Sequence, residues 1–68
     1  MASNAIIEID YTDWRGERRT RQIRPIRAWF GTTVYHPGLQ WLWSAWCLES
    51  MEERDFAQSG IHSWRVLA

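Results

Sequence analysis

The chain has 68 residues, no formal net charge and a single cysteine, Cys47. That length allows one small domain and no more, and a lone cysteine excludes an internal disulfide. His36 and His62 are too few and too loosely spaced to complete a structural zinc site with Cys47.

A chain this short buries only about 60% of its unfolded surface, so bulky side chains or self-association must stabilise it. Six tryptophans meet the first need, since each can bury about 150–250 Å². The opening MASNAIIEID has neither the basic start nor the apolar length of a signal peptide. No stretch approaches the run of about 20 apolar residues that spans a bilayer. The expectation is a soluble, cytoplasmic protein with a reduced thiol and no membrane partner.

AIIEIDY (5–11) alternates, with Ile7, Ile9 and Tyr11 on one face and Ile6, Glu8 and Asp10 on the other, which reads as a half-buried strand. TDWRGE (12–17) carries the Asp13 and Gly16 of a short hairpin loop. Residues 17–30, ERRTRQIRPIRAWF, read as a second strand whose phase slips at Pro25. Before the slip Arg19, Arg21 and Ile23 share a face; after it Ile26, Ala28 and Phe30 do. Proline cannot donate to a ladder and belongs at an edge or a bulge. A bulge there would bend one long strand and let a small sheet curl.

GTTVYHPG (31–38) is a loop or short edge strand, punctuated by Gly31, Pro37 and Gly38. LQWLWSAWC (39–47) places Leu39, Trp41, Trp43, Ala45 and Cys47 on one face and Gln40, Leu42, Ser44 and Trp46 on the other. A helical spacing is also present, but aromatic enrichment and the flanking glycine favour a strand. LESMEE (48–53) is a polar turn, ERDFA (53–57) a short strand with Arg54 and Phe56 on one face, QSG (58–60) a turn, and IHSWRVL (61–67) a last strand. About five short strands at regular spacing predict a single all-β domain, a small barrel or a strongly curled antiparallel sheet.

Charge is segregated along the chain. Residues 1–13 carry −3, residues 14–27 carry +5 from six arginines and Glu17, residues 28–48 carry none, and residues 49–55 carry −3. Every basic residue is arginine, the side chain that forks onto carboxylate or phosphate and stacks on aromatic faces. The stripe Arg15, Arg18, Arg19, Arg21, Arg24 and Arg27 suits phosphate. It equally suits a solvated strand face paired with Glu8, Asp10, Glu52 and Glu53.

The tryptophans divide in the same way. The mix of large and small residues at Trp41, Trp43, Ala45 and Cys47 fits a barrel interior. Trp46 points outward, and Trp14 and Trp29 fall among polar neighbours. An exposed aromatic set can stack bases or anchor a protein partner. Catalysis has little support. Cys47 is expected on the inward face, where thiols are inert, and neither a phosphate loop nor a paired-acid spacing is present.

The order of IEIDY (7–11), RGERR (15–19), IRPI (23–26), QWLWSAWC (40–47) and RDFAQSGI (54–61) resembles the WYL domain family of bacteria and their phages, over about Ile6 to Trp64. Two positions depart from the family pattern: the W-Y-L signature reads Trp41-Leu42-Trp43, and Gly60 stands where an arginine precedes the final Ile. The resemblance implies an Sm-like or SH3-like small barrel in its bare form, lacking the usual helix-turn-helix and C-terminal extension. It also implies a ligand-sensing regulatory module, and the residues themselves call for a non-enzymatic one without cofactor or metal. Such a module would sense a nucleotide or single-stranded nucleic acid through Arg24, Arg54, Arg21, Trp46 and Tyr11. The partner-binding alternative is homo-oligomerisation or service as an accessory to a larger regulator.

Overall fold

The computed structural model describes residues 4–68. They form one antiparallel sheet of five strands: β1 (Ile7–Thr12), β2 (Arg18–Gly31), β3 (Gln40–Cys47), β4 (Glu52–Ala57) and β5 (Ile61–Val66). The spatial order is β4-β3-β2-β1-β5, so the first four strands make a meander and the last returns beside the first. The sheet is strongly curled and does not close, so the barrel gives way to the curled-sheet reading. Among the described residues no helix is long and apolar enough to cross a membrane.

Local chemistry explains each turn of the chain. Asp13 organises the first hairpin: its Oδ1 accepts from the N–H groups of Arg15 and Glu17, each at 2.9 Å. Gly16, at φ 83°, takes the left-handed conformation the turn needs. The bulge in β2 lies where Pro25 predicted it, the pairing with β3 slipping between Pro25 and Arg27. It bends the longest strand and carries Ala28 and Phe30 onto the face already held by Ile23, across from Trp43 and Trp41.

The two edge strands β4 and β5 are joined by one short 3-10 turn, Gln58–Gly60. The four steps from Ala57 to Ile61 span at most about 14 Å, so the opposite edges of the sheet must approach each other. A second tie crosses the same gap: the Ala57 N–H donates to the Tyr11 hydroxyl at 3.0 Å, joining β4 to β1 over two intervening strands. Gly60 packs against β1 so closely that a Cβ there would collide with the Thr12 carbonyl oxygen and the Tyr11 ring. That close approach explains a glycine at this position.

The curled face encloses the core. Ile9, Tyr11, Ile23, Ala45, Cys47 and Phe56 are buried, with Ile7, Trp43 and Ile61 packed against them. Tyr11 and Phe56 meet edge to face at 5.1 Å. Trp41 departs from the expectation of an inward tryptophan pair. Trp43 is half-buried, its indole N–H donating to Gln58, but Trp41 is 51% exposed and packs edge to face on Phe30 at 5.5 Å. Its place on the inward face is right. However, it lies at the far end of β3, beyond the last residue paired with β4, Leu42, and that end of the face is uncovered.

The outer face also has an interior. Leu42 and Ser44 are buried, and Trp29, expected at the surface, is half-buried beside them. The Trp29 indole N–H donates to Ser44 Oγ at 2.9 Å, and Ser44 donates in turn to Asp55 Oδ1 at 2.6 Å.

Tyr11→Phe is expected to lower the unfolding free energy by about 1–3 kcal/mol, since it leaves the Ala57 N–H buried without an acceptor. Urea denaturation of both proteins checks this, and an unchanged midpoint would show that the cross-sheet bond does not hold the curl.

Candidate ligand-binding cleft

β1 and β2 set Tyr11 and Arg21 on the inward face, because Tyr11 pairs with Arg19 and Ile9 with Arg21 in register. β4 adds Phe56 and Arg54 to that face through the pairs Trp43–Phe56 and Ala45–Arg54. The β1–β2 turn brings Trp14 and Arg15, and the loop between β2 and β3 brings Thr33, Tyr35 and His36. Together these groups line an open cleft of about 540 Å³, within the roughly 300–1,000 Å³ range of small-molecule sites.

Arg21 forms its floor. The side chain is only 4% exposed, and among the described residues its single ion pair is a long one, Nη2 to Asp13 Oδ2 at 3.9 Å. Its Nε has no hydrogen-bond partner at all. A buried guanidinium left partly unpaired is costly, so this donor stands out from the rest of the arginine stripe. Arg18, within the stripe, is bound twice by Asp10, and Arg65, outside it, once by Glu8, two of the four acids expected to pair a solvated face; Glu52 and Glu53 make no ion pair among the described residues.

At the mouth, Trp14 and Tyr35 lie 5.5 Å apart with their planes tilted by 33°. Both are more than half exposed, and the Arg15 guanidinium lies 5.8 Å from the Trp14 ring centre. His36 ties the far wall together. It is buried, its Nε2–H donates to the Asp55 carbonyl at 3.2 Å, and its carbonyl accepts from Thr32 Oγ1 at 3.1 Å.

Ionisation follows from these contacts. Burial alone would raise the Asp13 carboxyl, but the hydrogen bonds from Glu17 and Arg15 outweigh it and hold the group below its ordinary value. Burial pushes the Tyr11 hydroxyl up, so it stays neutral at physiological pH. It accepts the Ala57 N–H. Burial also raises the Cys47 thiol, yet bonds from Ser50 and Glu49 and the Arg21 charge bring the net shift below the ordinary value.

The five residues named from the sequence therefore separate. Tyr11, Arg21 and Arg54 line one cleft. Arg24 and Trp46 lie across from each other on the outer face, with Glu53 beside Trp46 on β4; Trp46 is 36% exposed. Arg24 makes no ion pair among the described residues. Of the outward aromatics Trp14, Trp29 and Trp46, the cleft takes Trp14 alone, while Tyr35 and Asp13 carry no such role in the sequence. Tyr35 is an aromatic within a loop, a signal that says nothing of which surface it meets. Among the described residues no cluster of three or more metal-ligating side chains occurs. The chain matches no protein-family model and no curated protein.

Because Asp13 titrates below its ordinary value when folded, its contribution to stability is present at neutral pH and is lost as pH falls through that lowered value. Asp13→Asn is expected to destabilise the protein at pH 7, with the difference from wild type shrinking below about pH 4, near the unfolded-chain value. Denaturation midpoints measured across that range check it; a difference that stays constant would remove the charge from the account.

Proposed function

We propose that this chain is a non-enzymatic ligand-sensing module, resembling the WYL domains, that binds a nucleotide or a short stretch of single-stranded nucleic acid in the cleft. The observation that carries the reading is Arg21: a buried guanidinium whose Nε faces no protein acceptor, at the floor of an open cleft. An oxyanion beside a guanidinium makes a charge-assisted bond, about twice as strong as a neutral one. Arg54 adds a second guanidinium without an ion pair among the described residues. The Trp14–Tyr35 pair gives a flat base a surface to stack on, worth about 1–3 kcal/mol per base. Cys47 is fully buried, so a substrate has no route to the one thiol, which supports a binding role over a catalytic one. In a larger regulator, occupancy of the cleft would be the signal.

A second reading draws on a different surface. Phe30, Leu39 and Trp41 are all more than half exposed at one end of the sheet, and β4 and β5 both present open edges. Apolar aromatics beside an unpaired strand favour a protein partner or a second copy of the chain.

Tryptophan fluorescence titrated with short single-stranded DNA at low and high salt decides between them. The expected result is quenching that weakens as salt rises, with Arg54→Ala losing about tenfold or more in affinity. Arg24→Ala, on the outer face, is expected to leave it unchanged. Equal losses at both arginines would move the site out of the cleft, and no quenching at either salt would favour the partner-binding surface.

A further inference from the structure

β5 ends the sheet, and one of its sides faces no neighbouring strand. Alternation fixes which backbone groups lie on that side, because in an antiparallel ladder successive residues direct their N–H and C=O to opposite neighbours. The Leu67 N–H donates to the Ile6 carbonyl at 2.8 Å, so Leu67, Arg65 and Ser63 face β1. Trp64 and Val66 therefore turn their N–H and C=O groups to the free side. Among the described residues no side chain meets these groups. Both residues are more than half exposed, and the register sets them on the concave side, opposite Ile9 and Ile7.

The other edge is guarded. On β4 the Asp55 carbonyl accepts from His36 Nε2 at 3.2 Å, and the Ala57 N–H donates to the Tyr11 hydroxyl at 3.0 Å. Two of the groups facing away from β3 are thus already taken. Glu52 to Asp55 are all charged, and β4 against its own copy would set acid opposite acid, a destabilising arrangement. β5 carries one formal charge, Arg65, and Glu8 of the same chain bonds it at 2.9 Å.

We infer that β5 pairs antiparallel with β5 of a second copy of this chain, about a two-fold axis at Trp64, joining two five-stranded sheets edge to edge. The register follows from charge and from which groups are free. An axis at Arg65 would place two guanidiniums directly opposite each other. An axis at Val66 would set Trp64 opposite Ala68, whose carbonyl is occupied by the Ile6 N–H at 3.0 Å. The axis at Trp64 avoids both. The two tryptophans exchange main-chain bonds and form a cross-strand aromatic pair, and Arg65 lies opposite the neutral Ser63 of the second copy. Such a contact is isologous and closes at two copies. No residue lining the cleft belongs to β5, so pairing and ligand binding are tested separately.

Sedimentation equilibrium of the full chain over a concentration series is expected to show a mass that rises to two copies and stops. The result is expected to be the same at low and high salt, since main-chain bonds and apolar contact are not screened as exposed charges are. Trp64→Glu puts two carboxylates opposite each other in place of the aromatic pair and is expected to weaken the dimer about tenfold or more. Glu53→Lys, on the guarded edge, is expected to leave it unchanged. Trp64→Cys reads the seam even where Trp64→Glu fails to fold. Cα atoms of a hydrogen-bonded pair lie about 5.5 Å apart, within disulfide reach, so mild oxidation is expected to give a covalent dimer. Val66→Cys, which does not face its own copy, is expected to give none, and Cys47 is buried in both variants. A single-copy mass at every concentration would overturn the inference, as would a mass that keeps growing past two copies. A dimer untouched by Trp64→Glu, or a Trp64→Cys chain that does not cross-link, would overturn it too.

Discussion

A three-residue connection between the two edges of the sheet is the constraint on which this structure depends. β4 and β5 lie at opposite ends of the strand order, yet only Gln58–Gly60 separates them in the chain. A flat sheet of five strands would hold its edges about 19 Å apart at the usual strand spacing, farther than this link can reach. The sheet must curl until its edges nearly meet. The Tyr11–Ala57 bond fastens that curl from inside, and Gly60 permits the backbone to pass directly against Thr12. Core, cleft and outer face all follow from it.

The curl concentrates burial at one place. Its concave side holds a small cluster around Ile9, Ile23, Cys47 and Phe56 and leaves Trp41 and Phe30 beyond its reach. Arg21, on the enclosed side, is 4% exposed, whereas Arg18 lies exposed. The fold thus buries one guanidinium that the stripe alone does not distinguish. The surrounding polar groups answer part of its charge through Asp13, which also closes the hairpin turn. One carboxylate therefore links the local geometry of the β1–β2 loop to the electrostatics of the cleft.

An open curl has a liability, since β4 and β5 both expose unpaired ladder groups. β4 carries Glu52, Glu53, Arg54 and Asp55 in succession, and charge of this density is a common guard against edge-to-edge pairing. The β5 edge is less protected, with Trp64 and Val66 more than half exposed. The asymmetry leaves one edge of the sheet more receptive to another chain than the other.

Much of the fold was legible without coordinates. Period-two alternation marks every strand because successive side chains point to opposite faces, and the phase slip at Pro25 locates the bulge to within two residues. The inward placement of Tyr11, Phe56, Ala45 and Cys47 follows from the same pattern. The pattern could not say how deep each inward position would lie, so Trp41 was placed inside while Leu42, on the outer face, is the residue fully buried. Nor could it separate Arg21 and Arg54 from Arg24, since their roles depend on which side the curl encloses. By itself the sequence determined the strands, their faces and their turns, because those rest on contacts between residues close in the chain. Only the tertiary structure decided the cleft. It is assembled by a sheet that bends its edges together and a loop that brings Tyr35 beside Trp14, contacts between residues distant in the chain that no local pattern encodes.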